Sequence, residues 1–139
     1  MKTVMIFGTF DIVHAGHINL FKQAKQLGDH VVAVIARDKR VADLKGRKPI
    51  HSEFERRDFL KHIDLLDKVI LGSRKDVYVV IKKYRPDYIL LGYDQKHFVD
   101  SLAEYIAKYH LPTFVKRAST FKAHTLKSGK IKHYIETVV

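Results

Sequence analysis

Cysteine is absent from the 139-residue chain, so a disulfide framework, a thiolate zinc site and a cysteine nucleophile are all unavailable to it. Apolar runs are short, and none approaches the roughly 18 consecutive residues of a membrane-spanning helix. Met1-Lys2-Thr3 leads directly into a brief apolar run and not into the extended apolar segment of a secretion signal. A cytosolic protein is expected. Internal repeats, low-complexity tracts and linker-like stretches are missing too, and 46% hydrophobic content at this length suffices for one substantial core. A single domain over residues 1–139 is the expectation. Acidic residues are the scarce charge: 15 Asp and Glu stand against 26 Lys and Arg, a formal net charge of +11, and none lies between Tyr105 and Ile135. A second basic segment, residues 37–48, holds Arg37, Lys39, Arg40, Lys45, Arg47 and Lys48. Such a surface attracts anions, whether nucleic acid, a membrane face or phosphorylated small molecules.

What the chain does contain is a series of apolar runs: Thr3–Phe7, His30–Ala36, Lys68–Leu71, Tyr88–Leu91 and Thr113–Val115. Unbroken runs rich in Val, Ile, Leu and Phe predict strands buried on both faces. Helical patterns alternate with them. Over 17–27, Ile18, Leu20, Phe21, Ala24 and Leu27 share one face, Lys22 and its polar neighbours take the other, and Gly28 stands where a C-terminal cap belongs. Ser52 with Glu55 makes a capping-box pattern for a helix over 52–63 that faces the core through Phe59, Leu60 and Ile63. Further helices are expected over Asp76–Tyr84, Phe98–Tyr109 and near Ser128–Glu136. Alternating strands and helices predict an α/β fold: a doubly wound, Rossmann-like parallel sheet of about five strands with helices on both faces. Ligands of such sheets bind beyond the carboxyl ends of the strands. Leu44–Ser52, with Gly46 and Pro49 among basic residues, is expected to be one long mobile loop.

The first strand is followed by Gly8-Thr9-Phe10-Asp11-Ile12-Val13-His14-Ala15-Gly16-His17, which opens the first helix. Two histidines at this spacing can project over a helix N-terminus, where backbone N–H groups favour phosphate. Gly16 would let a phosphate approach closely. Metal ligation is the competing use of a histidine pair, but no Cys or third ligand with recognisable spacing accompanies them, so no protein metal site is expected.

A strand followed by this G-T-F-D-x-x-H-x-G-H motif resembles the cytidylyltransferase-like nucleotidyltransferases, and Lys45-Gly46-Arg47-Lys48, Arg56 and Gly92-Tyr93-Asp94 follow that family's order. The resemblance implies attack on the α-phosphorus of a nucleoside triphosphate with loss of pyrophosphate. His14 and His17 would then donate hydrogen bonds to phosphate oxygens with no covalent intermediate. By the same resemblance Lys45, Arg47 and Lys48 close over the triphosphate, and Arg56 contacts phosphate from its helix. Gly8, Thr9, Phe10, Asp11 and Gly16 line the nucleotide. Gly92 and Asp94 bind the nucleoside, and Arg117-Ala118-Ser119-Thr120, Ser119 and Thr120 among them, wall the same pocket. Relatives usually carry a hydroxyl-rich segment at the start of the last helix; here Leu126-Lys127-Ser128-Gly129-Lys130-Ile131 stands in its place, with Ser128 as its phosphate ligand. Within the family, Ala36-Arg37-Asp38, residues 45–50 and Leu91–Gln95 most resemble archaeal FAD synthases, which implies AMP transfer from ATP to FMN. Glycerol-3-phosphate cytidylyltransferases, using CTP, and small sugar-phosphate or lipopolysaccharide-precursor transferases share the first motif. Mg²⁺ would accompany the triphosphate, helped by Asp11 or Asp38, and a homodimer is the family's common state. Outside this class stand a nucleic-acid-binding module, suggested by the charge and by Tyr78, Tyr84, Tyr88, Tyr105 and Tyr109, and a nucleotide sensor without turnover.

Overall fold

The computed structural model describes residues 1–96, 99 and 101–119. Thr120, Ser128, the 126–131 segment and the helix expected near Ser128–Glu136 lie outside the described residues. All five expected strands are present: β1 (Thr3–Gly8), β2 (His30–Ile35), β3 (Lys68–Leu71), β4 (Tyr88–Leu91) and β5 (Phe114–Arg117). They form one parallel sheet in the order β3-β2-β1-β4-β5. Alternation along β1 to β4 sends side chains to two cores, because successive Cβ atoms point to opposite faces; β5, expected to be buried on both faces, is an edge strand whose four residues are all exposed. Val4, Ile6, Val31, Ala33, Ile35 and Leu90 meet helix α1 (Ala15–Leu27) and Leu60 on one face. Met5, Phe7, Val32, Val34, Ile89 and Leu91 meet helices α4 (Val79–Tyr84) and α5 (Leu102–Lys108) on the other. The chain is therefore the doubly wound α/β fold that its apolar runs predict. Among the described residues no helix is long and apolar enough to cross a membrane.

The strand order reverses between β1 and β4, and the ladders differ there. β1 pairs with β2 along its whole length, from Thr3↔His30 to Gly8↔Ile35, whereas it pairs with β4 at Val4↔Tyr88 and Met5↔Ile89. The carboxyl halves of β1 and β4 thus flank the crevice where ligands of open parallel sheets bind.

Three expectations need correction. Residues 38–45, taken as loop and basic segment, form helix α2 (Asp38–Lys45), which ends on Gly46 in the left-handed conformation at φ 77°. Its single buried residue, Val41, gives too little apolar periodicity to announce a helix. The loop that follows is pinned at its far end, where the Asp11 carboxylate accepts the Ile50 and His51 N–H groups at 2.7 and 2.8 Å. In helix α3 (Glu53–Leu60) the expected capping box of Ser52 and Glu55 is present, but Phe59 is 59% exposed and the inward face is Glu53, Arg56 and Leu60. A cation on the core-facing stripe displaced the reading by one position, since hydrophobic periodicity assigns charges outward.

These burial differences predict unequal mutants. Leu60→Ala, opening a cavity, should cost about 2–5 kcal/mol in urea unfolding. Phe59→Ala should stay within about 0.5 kcal/mol of the parent; matched losses at the two positions would mean that the helix face is wrongly placed.

Candidate active site

The motif after β1 folds into a strained reversal. Phe10 adopts φ 52°, which a bulky side chain tolerates only when its surroundings hold it there. Its ring is 5% exposed and packs edge-on against Phe21 at 5.5 Å and His17 at 5.4 Å. Gly8 is required underneath: a Cβ there would stand 2.7 Å from the Phe10 ring. Gly8 and Phe10, expected on the nucleotide, instead pack on each other. Gly16 serves a similar end, because a Cβ would sit 2.9 Å from the His14 ring. The room attributed to phosphate at Gly16 is used by that imidazole.

His14 caps α1. Its Nδ1 accepts the Gly16 N–H at 3.1 Å, and the His17 Nδ1 accepts the His14 N–H at 3.3 Å. With both Nδ1 atoms accepting, each ring carries its proton on Nε2, so both histidines are neutral N–H donors. The rings stack with centroids 4.0 Å apart and planes 23° apart. Burial holds the His14 pKa below its ordinary value. His17 is pushed down to about 4, chiefly by burial and then by the His14 and Lys45 charges, with Asp94 and the Ile12 backbone pulling the other way. The first turn of α1 has no acidic residue, which leaves the positive end of the helix dipole uncompensated by side chains.

Lys45, at the last turn of α2, reaches back to the Thr9 hydroxyl at 3.4 Å. Arg47 and Lys48 are exposed on the loop beyond it, and Lys22 is exposed on α1. Asp94, exposed in the turn after β4, acts on His17 through its charge. Thr9, His14, His17, Lys45 and Asp94 are thus brought together beyond the carboxyl ends of β1 and β4. Ser119 exchanges two hydrogen bonds with the Gln23 amide of α1, at 3.0 and 3.4 Å.

Arg56 and the two carboxylates Asp11 and Asp38 are placed differently from expectation. Arg56 is 1% exposed, and its guanidinium donates to the Thr9 carbonyl at 2.8 Å, the Asp38 carboxylate at 2.7 Å and the His51 carbonyl at 3.1 Å. Fully covered, it braces the turns after β1 and β2 and the entry to α3 from beneath, with its guanidinium spent on protein partners. Asp38 continues the network through its backbone N–H to Glu53 at 3.0 Å; Glu53 accepts Arg37 at 2.6 Å, and Arg37 reaches the Gly72 carbonyl at 2.8 Å. The turns after β1, β2 and β3 are joined in one latch. Asp11 is bound to the loop amides of Ile50 and His51, and Asp38 to Arg56. Gln95, the last residue of the Leu91–Gln95 segment, and Arg117, the first of the expected pocket wall, hold the other flank. Gln95 donates to the Phe7 carbonyl at 3.3 Å and accepts the Gly92 N–H at 3.1 Å. Arg117 donates to the Gly92 and Gln95 carbonyls at 2.8 and 2.9 Å. An amide beside a Gly turn after a strand was the available signal.

Residues 5–133 match the family model described as cytidylyltransferase-like. The FAD synthase of Thermococcus sibiricus is 40% identical over 130 residues, 92% of this chain and 88% of its own length. That of Methanosarcina barkeri is 42% identical over 117 residues, 84% of this chain and 83% of its own. Among solved structures, the lipopolysaccharide core biosynthesis protein from Thermoplasma volcanium superposes with a TM-score of 0.81 at 38% identity, covering 88% of this chain and 99% of that one. A pantoate-beta-alanine ligase from Francisella tularensis shares the fold alone, at TM-score 0.59 and 15% identity.

Two measurements check this geometry. The His17 ring, followed by NMR in the free protein, should titrate near 4 and show no inflection at the ordinary 6.5. Between those values the unfolded chain binds the extra proton, so His17's contribution is complete above pH 6.5 and lost as pH falls toward 4, on the order of 3 kcal/mol. Arg56→Leu strands the Asp38 carboxylate and should cost about 3 kcal/mol or more in urea unfolding; a loss under about 1 kcal/mol would remove Arg56 from its bracing role.

Proposed function

The chain belongs to the cytidylyltransferase-like family, and from that premise we propose that it is an FAD synthase, joining AMP from ATP to FMN with release of pyrophosphate. The observation that carries the chemistry is the stacked pair of neutral histidines at the acid-free N-terminus of α1. A phosphate oxygen of FMN attacks the α-phosphorus; the new P–O bond forms as the bond to the bridging oxygen of the β-phosphate breaks. Charge grows on the phosphate oxygens, and the Nε2–H groups of His14 and His17 stabilise it as hydrogen-bond donors. Neither imidazole needs to gain or lose a proton. Lys45, with Arg47 and Lys48 behind it, attracts the β- and γ-phosphates and then the departing pyrophosphate. Thr9 and the turn holding Gly92 and Asp94 border the nucleotide, while Arg56 is a positioning residue that keeps the Thr9 carbonyl and α2 in place.

Mg²⁺ would enter with the triphosphate, take most of its ligands from phosphate oxygens and neutralise their charge. Asp94, exposed beside the histidine pair, is the acid positioned to join them, since Asp11 and Asp38 are engaged elsewhere. The acceptor follows from the 40% and 42% identical FAD synthases. The cytosol, where ATP and FMN are available, is the matching compartment. A sugar-phosphate acceptor is the second reading, favoured by the 38% identity to the Thermoplasma protein.

Pyrophosphate release measured with ATP or CTP against FMN, glycerol 3-phosphate and heptose phosphates separates these readings. ATP with FMN should be the productive pair. CTP-only activity would overturn the FAD synthase assignment, and nucleotide binding with no transfer to any acceptor would overturn catalysis. His14→Ala and His17→Ala should each lower kcat by a factor of about 100 or more while the protein stays folded.

A further inference from the structure

The phosphate-side loops are latched by Arg56, but the nucleoside-side turn at 92–95 belongs to β4, across the switch point. Between the two flanks, β1 and β4 pair at Val4↔Tyr88 and Met5↔Ile89, two residues short of Phe7 and Leu91. Gln95 spans this interval. Its Nε2 donates to the Phe7 carbonyl at 3.3 Å, one residue before the end of β1, while its Oε1 accepts the Gly92 N–H at 3.1 Å. The Gln95 N–H closes the same turn onto the Gly92 carbonyl at 3.1 Å. Arg117, at the end of β5, donates to the Gly92, Tyr93 and Gln95 carbonyls from its single Nη1, at 2.8, 3.4 and 2.9 Å. The turn is therefore closed on itself, backed by a cation on its β5 side and tied to β1 by the Gln95 side-chain amide.

We infer that Gln95 is a positioning residue whose amide sets the separation between the nucleoside-side turn and the histidine pair, and so where the α-phosphate lies against His14 and His17. A nucleotide held at one end by the 92–94 turn and at the other by the histidines spans both flanks. A shift of about 1 Å between them misplaces the reacting phosphorus, and errors of that size cost around 100-fold in rate. Both polar ends of the amide are needed. Glutamate keeps the acceptor for Gly92 but sets a carboxylate oxygen against the Phe7 carbonyl; methionine keeps the length and loses both contacts.

The activity part of the test rests on the transfer reading; a second readout does not. In Gln95→Met and Gln95→Glu, kcat/KM for ATP should fall roughly 10- to 100-fold, with KM for FMN within twofold of the parent. The His17 midpoint of Gln95→Met, followed by NMR without substrate, should move below that of the parent, because the turn carries the Asp94 charge that raises it. Either variant matching the parent in kcat/KM for ATP would overturn the inference, and loss confined to FMN would do the same. If the parent releases no pyrophosphate with any substrate pair, the transfer reading fails and the His17 midpoint decides alone: unchanged in Gln95→Met, it overturns the clasp. Circular dichroism verifies folding, and if Gln95→Met does not fold, the kinetics of Gln95→Glu decide.

Discussion

The buried guanidinium of Arg56 supports the turns after β1 and β2 and the entry to α3. Burying an arginine is costly unless each polar edge is met, and Arg56 meets that condition with two carbonyls and one carboxylate drawn from three separate segments. The carbonyl of Thr9 belongs to the turn that launches the histidine motif, Asp38 opens α2, and His51 stands at the entry to α3. Removing any one partner leaves a desolvated charge unanswered, so these segments order together. The strained φ of Phe10 is tolerated in that setting because the Thr9 carbonyl just before it and its own ring, packed on Phe21, are both held.

From this brace the electrostatics of the histidine pair follow. A turn fixed by Arg56 delivers His14 as the cap of α1 and His17 one turn on, and their Nδ1 atoms are consumed by backbone N–H groups. Nitrogen atoms that accept from the backbone cannot also be protonated, so the tautomers are set by the cap itself. Stacking adds a second constraint, since a proton on one ring would place a charge 4.0 Å from its neighbour. Donors that stay neutral suit an anionic ligand without repelling the lysine and arginines that must share it.

Much of the fold was legible in the chain. Five apolar runs became five parallel strands; burial on both faces left β1, β2 and β4 with no polar alternation to misread, whereas β5 is an exposed edge strand, and Ser52 with Glu55 marked the start of α3 correctly. The failures share a cause. Helix α2 is stabilised at its ends and buries Val41 alone, so its residues look like a solvated basic segment. The inward face of α3 includes Glu53 and Arg56, and a stripe that contains charges is invisible to hydrophobic periodicity. Glycines at 8 and 16 announced that side chains were excluded, but which neighbour fills the space is a tertiary fact: a Phe10 ring in one case, a His14 ring in the other. Asp11 and Asp38 could be placed in the right neighbourhood from their motif, whereas their commitment to amides and to Arg56 depends on segments about 40 and 18 positions away.

The two-flank construction also bears on how such a protein diversifies. The turns after β1, β2 and β3 are bound to one another by the Arg56 and Glu53 network, while the turn after β4 leans on β5 and meets β1 through the Gln95 amide. Substitutions on the β4–β5 flank leave the buried charge network closed, so the turn after β4 can vary in sequence while the turns after β1, β2 and β3 keep their arrangement.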